Sequence, residues 1–338
     1  MIIFFSAQNL RNHLQINLNF NKKIVIIKGK NGTGKTTILE GIYFSIFKKS
    51  FKTNEQNDLI KKDQLTSYVE NITVYDGIIY KISGILNKDK ANELKLNGLP
   101  ISTKELRNII NPLVIDSKLI NDFKNNKKAR QALIDKLIST DIKIYHYQLQ
   151  EFIKLKKLLL QTLIEKPNER SIIVGTKDYL ADIEKEIIEN RTLFINKVNL
   201  TFEKNTKAII KKDLKIKYLP MVIIKEIKKN LDAPYPITCS KDDYIILEGE
   251  TNYFKFASEG EIRIVILLLI ISYLEIINKE YNQLFPLLLD DVFSELDAKH
   301  SNILLETLLK KEINAFLTTT SMHKIKTMFL DEIEIINL

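Results

Sequence analysis

Eight consecutive residues, Gly29-Lys30-Asn31-Gly32-Thr33-Gly34-Lys35-Thr36, fit the pattern GxxxxGK[ST], whose chemistry is the capture of a polyphosphate. The glycines let backbone N–H groups turn inward around a phosphate, and a helix opening near Thr36 adds its positive dipole end. In that pattern Gly29 through Gly34 form the cradle, Lys35 reaches the β- and γ-phosphates, and the Thr36 hydroxyl ligates Mg²⁺. Thr37 adds a hydroxyl toward the α-phosphate. Such a loop needs an acidic partner at the end of a neighbouring strand, and Leu287-Leu288-Leu289-Asp290-Asp291, opened by Pro286, supplies one. Asp290 is expected to hold Mg²⁺, directly or through water, and Asp291 to orient or deprotonate the attacking water. Two adjacent carboxylates exceed what a magnesium ion requires, so the pair points to hydrolysis rather than transfer to a small substrate.

The elements that position these residues are legible nearby. Lys23 to Lys28 reads KIVIIK, an apolar strand bounded by charge, and Ile38, Leu39, Ile42 and Tyr43 follow at helical spacing. The first unit is therefore strand, glycine loop, helix. Strand-like runs follow at Val69–Tyr75, Ile78–Leu86 and Leu94–Leu96, with Asn97-Gly98 marking a turn. From about Ser117 glycine almost disappears, and helical patterns are expected from Lys128 to Lys166 and from Asp178 to Lys212, with Pro167 to Lys177 as the turn between them. Strand texture returns at Tyr244–Phe256, and the chain closes on strand, helix, strand. The pattern predicts an α/β domain made from residues 1–116 and 235–338, with a helical arm, residues 117–234, inserted between them.

Phe256-Ala257-Ser258-Glu259-Gly260-Glu261 precedes an apolar helix running from Arg263 to Ile277. Alone, such a stretch reads as a helix N-cap with a capping acid. It also resembles the signature loop of the ABC-type ATPases, which implies that Ser258 and Gly260 contact the γ-phosphate of nucleotide bound by a second copy. Ser294-Glu295-Leu296-Asp297 then stands where those proteins carry a D-loop, with Ser294 and Asp297 as its site residues. The order of glycine loop, signature, double acid and D-loop favours the second reading.

With these blocks in place the chain resembles the RecF family of bacterial DNA repair ATPases, which are related to the SMC proteins. The resemblance rests on Leu10-Arg11-Asn12, GKNGTGKTTILEGIY from Gly29 to Tyr43, Ser50-Phe51-Lys52-Thr53 with Leu59-Ile60, Phe256 to Gly260, and LLLDDVFSELD from Leu287 to Asp297. It implies an ABC-type P-loop ATPase head, a lobe of mixed β-sheet with helices, carrying an inserted helical second lobe. It further implies ATP and Mg²⁺ as cofactors, ATP-dependent homodimerisation, and slow, DNA-stimulated hydrolysis used as a switch. As partners it implies DNA at single-strand/double-strand junctions, with RecO and RecR promoting RecA loading in repair, replication and the SOS response. The sequence differs from the family pattern after Gly260, where Glu261, Ile262 and Arg263 stand. It also differs at Cys239 to Asp243, and at Arg130 beside Gln131. The stretch from Ile115 to Lys118 occupies the place of a Q-loop, and Thr318-Thr319-Thr320 stands where transporter ATPases have a switch histidine.

Charge agrees with a polyanionic partner. There are 51 Lys and Arg against 42 Asp and Glu, a net +9. Basic residues gather at Lys118–Lys136 and Lys204–Lys229, so Lys127, Lys128, Arg130, Lys211 and Lys212 are candidate contacts to the DNA backbone, with a solvated basic face as the bland alternative. The single cysteine, Cys239, has no partner for an internal disulfide, which suits a reducing, cytoplasmic setting. His13, His146, His300 and His323 lack metal-ligand spacing and read as surface or core residues; Tyr145 and Tyr147 read as helix packing. The apolar start, Met1–Ala7, has no basic leader, and the longest apolar run, Ile264–Ile271, has eight residues, so neither a secretory signal nor a membrane span is expected. The readings that compete are a clamp that holds ATP without hydrolysing it, a transporter ATPase subunit, and a P-loop kinase.

Overall fold

The computed structural model describes residues 1–221, 238–321 and 325–338. The strands and helices run β1 (Ile2–Leu10), β2 (His13–Asn19), β3 (Ile24–Lys28), α1 (Lys35–Phe47), β4 (Thr66–Tyr75), β5 (Ile78–Asn87), β6 (Glu93–Leu96), β7 (Leu99–Pro100), α2 (Thr103–Leu106), β8 (Leu113–Asp116) and α3 (Ser117–Asn125). They continue α4 (Lys127–Asp141), α5 (Lys143–Glu165), α6 (Arg170–Ile210), β9 (Leu214–Leu219), β10 (Asp243–Glu248), β11 (Thr251–Asn252) and α7 (Glu259–Glu280). The last are β12 (Leu287–Asp290), α8 (Ala298–Lys310), β13 (Ala315–Thr319) and β14 (Ile333–Asn337). Packing divides the chain into one unit of Met1–Ile120 with Leu274–Leu338 and a second of Asn121–Tyr273.

The first unit holds two sheets. A parallel sheet has the order β14-β3-β13-β12-β8, and an antiparallel sheet the order β2-β1-β4-β5-β6-β7. In the parallel sheet Ile24–Ile27, Leu287–Leu289 and Ala315–Leu317 are all fully buried, the continuous apolar pattern of strands covered on both faces. The antiparallel sheet alternates instead: Phe5, Ala7, Val69, Ile82 and Leu86 point inward and join Ile38, Leu39 and Ile42 of α1 in one core. Because β3, β13 and β12 are neighbours and parallel, their carboxyl ends open on one edge. That edge is where an open α/β sheet binds its ligand. Asn97 and Gly98 both take positive φ and turn β6 into β7, as the sequence predicts.

In the second unit the expected helix from Lys128 to Lys166 is two, α4 and α5, broken at Ile142, whose φ of −94° and ψ of 94° are extended. The other arm helix starts earlier than expected: α6 takes in Arg170–Lys177, so the turn after Pro167 is short and Gly175 lies inside a helix. The strand texture at Tyr244–Phe256 resolves into the hairpin β10–β11, and β9 completes a sheet of order β11-β10-β9. The sequence returns the chain to its first domain at residue 235, whereas the packing keeps it in the second unit to Tyr273. The reason is pairing: β10 hydrogen-bonds β9 in six register positions from Asp243↔Leu219 to Glu248↔Leu214. The middle of α7 is tied in as well, Ser272 accepting from Asn205 at 2.9 Å and the Tyr273 hydroxyl donating to the Leu137 carbonyl at 2.8 Å. The run Ile264–Ile271 is a buried stretch of α7, as expected, and no helix among the described residues is long and apolar enough to cross a membrane.

Buried charge holds this second unit together. Arg191, 2 % exposed, donates to Asp135 Oδ2 at 2.9 Å, Asp242 Oδ2 at 2.8 Å and the Cys239 carbonyl at 2.9 Å. Tyr145 is fully buried, its hydroxyl on Asp135 at 2.6 Å, in keeping with helix packing, while Tyr147 is exposed. Burial also pushes the Cys239 thiol well up, so it is an inert core group. Nearby, Glu184 accepts from the Cys239 amide, and burial raises its carboxyl to about 7. A carboxyl whose folded value exceeds its usual 4.5 adds stability that is complete below that value and is lost as pH climbs through about 7. Glu184→Gln should therefore match the wild type in thermal midpoint near about pH 4 and exceed it near about pH 8. Scanning calorimetry across that range checks this, and a difference independent of pH would refute it.

Candidate nucleotide site

The glycine loop leaves the end of β3 and turns into α1 at Gly34, whose φ of 95° is open to glycine at little cost. A Cβ there would lie 2.1 Å from His13 Nε2 and 2.8 Å from Asn12 Oδ1, so the β1–β2 turn leans directly on the loop. Asn12 Nδ2 donates to the Gly32 carbonyl at 3.2 Å, and His13 Nε2 lies 3.4 Å from the Gly34 carbonyl. Among the histidines, His13 thus buttresses the loop; His323 lies outside the described residues. The first turn of α1 carries no acid to compete with an anion at its N–H groups. Lys35 is curled into the loop, its ammonium donating to the carbonyls of Gly29 at 2.8 Å and Lys30 at 2.9 Å.

Asp290, at the end of β12, is 2 % exposed. Its Oδ1 accepts from the Thr36 hydroxyl at 2.7 Å and from the Thr318 hydroxyl at 3.2 Å, and its Oδ2 pairs with Lys52 Nζ at 2.7 Å. Asp291 follows with φ of 60° and lies exposed beside the loop. Lys35, Thr36, Thr37, Lys52, Asp291 and Thr318 all line one cleft of about 390 Å³, within the range of small-molecule sites. Two hard oxygen donors, Thr36 Oγ1 and Asp290 Oδ1, thus stand 2.7 Å apart. A lysine ammonium is already drawn to the same carboxylate. Both features fit a small divalent cation such as Mg²⁺.

Several contributors carried no assigned role in the sequence. Glu40 of α1 is 1 % exposed and is gripped by the Arg11 guanidinium at 2.7 and 2.8 Å and by the Ser50 hydroxyl at 2.5 Å. Ser50 in turn accepts from the Lys52 amide at 2.9 Å. Arg11, Ser50 and Lys52 belong to stretches that carried the family resemblance, and that was the only signal they gave.

The remaining predicted residues are dispersed. Ser258 and Glu261 form a capping box at the start of α7: Ser258 Oγ donates to Glu261 Oε2 at 2.9 Å and accepts from the Glu261 amide at 3.3 Å. Ser258 is exposed, and Gly260 sits in the first turn of the helix. Ser294 Oγ accepts from the Thr320 amide at 3.3 Å. Asp297 caps α8, accepting from the His300 amide at 2.8 Å with its other oxygen 2.9 Å from His300 Nδ1. That backbone bond, with the adjoining imidazole, holds the Asp297 carboxyl below its usual value.

Of the basic candidates, Lys128 and Lys211 are exposed. Lys127 donates to the Lys241 carbonyl, and Lys212 Nζ lies 3.4 Å from Glu248 and 4.9 Å above the Tyr253 ring. Arg130 corrects the expectation of a DNA contact. It is buried, its guanidinium spent on both Asp243 oxygens at 2.7 and 3.0 Å and on the carbonyls of Phe123 and Lys124. Lys215 and Lys217 of the same basic cluster are alternate exposed residues on the sheet edge β9. Lys225, Lys228 and Lys229 of that cluster lie outside the described residues. No group of three His, Cys, Asp or Glu among the described residues has the arrangement of a separate metal site.

A phosphate-cradling loop and an acidic strand end on a parallel sheet, interrupted by a helical insertion, are the architecture of a P-loop ATPase head. The model of the family described as the RecF/RecN/SMC N terminal domain matches residues 1–335, and the chain belongs to that family. It is 29 % identical over 338 residues to the DNA replication and repair protein RecF of Lachnospira eligens, covering 94 % of this chain and 92 % of that protein. Among solved structures it is similar to the recombination mediator protein RecF-ATPrS in the RecFOR pathway, at 25 % identity and a TM-score of 0.79, covering 96 % and 94 % of the two chains. The Smc head domain of Pyrococcus furiosus shares the fold, with 15 % identity, a TM-score of 0.55 and coverage of 96 % and 90 %.

Proposed function

We propose that this chain is an ATP-dependent DNA-binding clamp of recombinational repair and replication, working in the cytoplasm and using slow ATP hydrolysis as a switch. The observation that carries the reading is the Thr36–Asp290 contact at 2.7 Å. It joins the phosphate loop to the acidic strand end across 254 residues, in a cleft also lined by Lys35 and Asp291. The backbone of Gly29 to Gly34 cradles the phosphates, Lys35 leaves its two loop carbonyls for the β- and γ-phosphates, and Thr37 adds a hydroxyl. Thr36 and Asp290 would hold Mg²⁺, which supplies charge neutralisation on the phosphate oxygens. Asp291, exposed at the cleft, orients the attacking water and takes its proton. Ser258 and Gly260 of one copy close over the nucleotide held by another, and Ser294 and Asp297 shape the adjoining loop. ATP thereby favours a head-to-tail dimer, and hydrolysis releases it.

The DNA partner is supported by the names of the similar proteins and by the exposed basic set Lys128, Lys211, Lys215 and Lys217. Single-strand/double-strand junctions, RecO and RecR belong to the same proposal. The test is binding of the chain to gapped duplex DNA, comparing ATP with ADP across a salt series. Binding that is tight and salt-sensitive with ATP, and collapses with ADP, is the expected result. Equal weak binding in both nucleotide states would overturn the DNA switch.

A further inference from the structure

We infer that Thr318 is a positioning residue for the acidic pair, its one hydroxyl fixing both the Asp290 carboxylate and the turned backbone that presents Asp291. The inference rests on the nucleotide reading above and adds a residue to which that reading gives no part. Thr318 lies near the end of β13, the strand between β3, which leads into the phosphate loop, and β12, which ends in Asp290. Only 1 % exposed, it still lines the cleft. A hydroxyl has one proton to give and lone pairs to accept with, so it serves two partners at once. Here Oγ1 donates to Asp290 Oδ1 at 3.2 Å and accepts from the Asp291 amide at 2.7 Å.

The second bond holds a turned backbone. Asp291 has φ of 60°, the left-handed region that few residues with a Cβ enter and that aspartate enters more readily than most. In an extended strand successive side chains alternate faces, so an extended Asp291 would carry its carboxylate away from the side Asp290 faces. With the left-handed turn, the Asp291 carboxylate lines the cleft from an exposed position, while Asp290 stays buried behind it on Thr36, Lys52 and Thr318, which line the same cleft. The amide that must be held for that turn is the one Thr318 accepts.

The test compares wild type, Thr318→Val and Thr318→Ser in the full chain, reading ATP affinity with a slowly hydrolysed analogue, steady-state turnover, and thermal midpoint. Val keeps the shape and removes the hydroxyl. The expected result is near wild-type affinity with turnover lowered about 10- to 100-fold, the scale of a small misplacement of a reacting group, and recovery of most of that loss in Thr318→Ser. A merely structural role would weaken affinity and midpoint in step with turnover and would overturn the inference. So would unchanged turnover in Thr318→Val, or failure of Ser to restore it. Should the Val variant not fold, Thr318→Ala gives the same comparison without a methyl forced against Asp290. A wild type that binds no ATP would fell the nucleotide reading itself, an outcome visible before any variant is compared.

Discussion

Asp291→Asn is expected to bind ATP as the wild type does and to hydrolyse it about 10²- to 10³-fold more slowly, the usual contribution of a positioned general base. Asp290 is consumed by the site's architecture: it is 2 % exposed and bonded by Thr36, Thr318 and Lys52. Asp291 lines the cleft from an exposed position, where an attacking water has access. Asn keeps the size and cannot take a proton. Turnover measured beside the lifetime of the ATP-bound dimer checks both halves: hydrolysis should fall and dimer lifetime should lengthen. Unchanged turnover would remove Asp291 from the reaction. An unchanged DNA lifetime in ATP would favour instead a clamp that holds nucleotide without using its hydrolysis.

The largest effect on stability is expected at Arg191→Ala, a loss of about 3–5 kcal/mol, the cost of stranding buried charge. Arg191 stands between Asp135 and a fully buried Asp242. With the guanidinium gone, Asp242 keeps, among the described residues, only neutral donors, the Tyr218 hydroxyl and the Met221 amide at 2.8 Å. The cluster ties α4, α6 and the turn at Cys239–Asp242 together, so loosening should be read first by hydrogen exchange in those segments. Urea denaturation gives the magnitude. A double change, Arg191→Met with Asp242→Asn, should cost less than Arg191→Ala, because the fully buried Asp242 no longer carries a stranded charge. Equal costs would show that packing and not charge holds the cluster.

The two chemical blocks were legible because each is local: residue type and spacing alone define the glycine loop at Gly29–Thr36 and the acids at Asp290 and Asp291. Helices and strands marked by a local apolar run or helical spacing, such as β3, α1 and the buried run of α7, could be read for the same reason. What escaped depends on neighbours distant in sequence. Glu40 reads as one more helix residue until Arg11 and Ser50 close on it. Thr318, legible only as one of three threonines at the switch position, gains its contacts to the acidic pair only once β13 lies between β3 and β12. The break at Ile142 has no glycine or proline to announce it, and Gly175, within the stretch Pro167 to Lys177 that reads as a turn, sits in α6 where a side chain would meet nothing within 4 Å. Arg130 was read by its charge. Its pairing with Asp243, 113 residues on, turned it inward.

The interleaving of early and late strands has a consequence for how the protein is made. Between synthesis of Thr36 and of Asp290 the ribosome must add 254 residues, a delay of about 13–50 s at roughly 5–20 residues per second. Throughout that interval β3, apolar on both faces, lacks β13 and β14, the strands between which it ends up. The glycine loop thus emerges first and waits longest for the acids that complete its site. A chain terminated before β12 would carry the whole phosphate-binding motif and still lack the carboxylates that answer it.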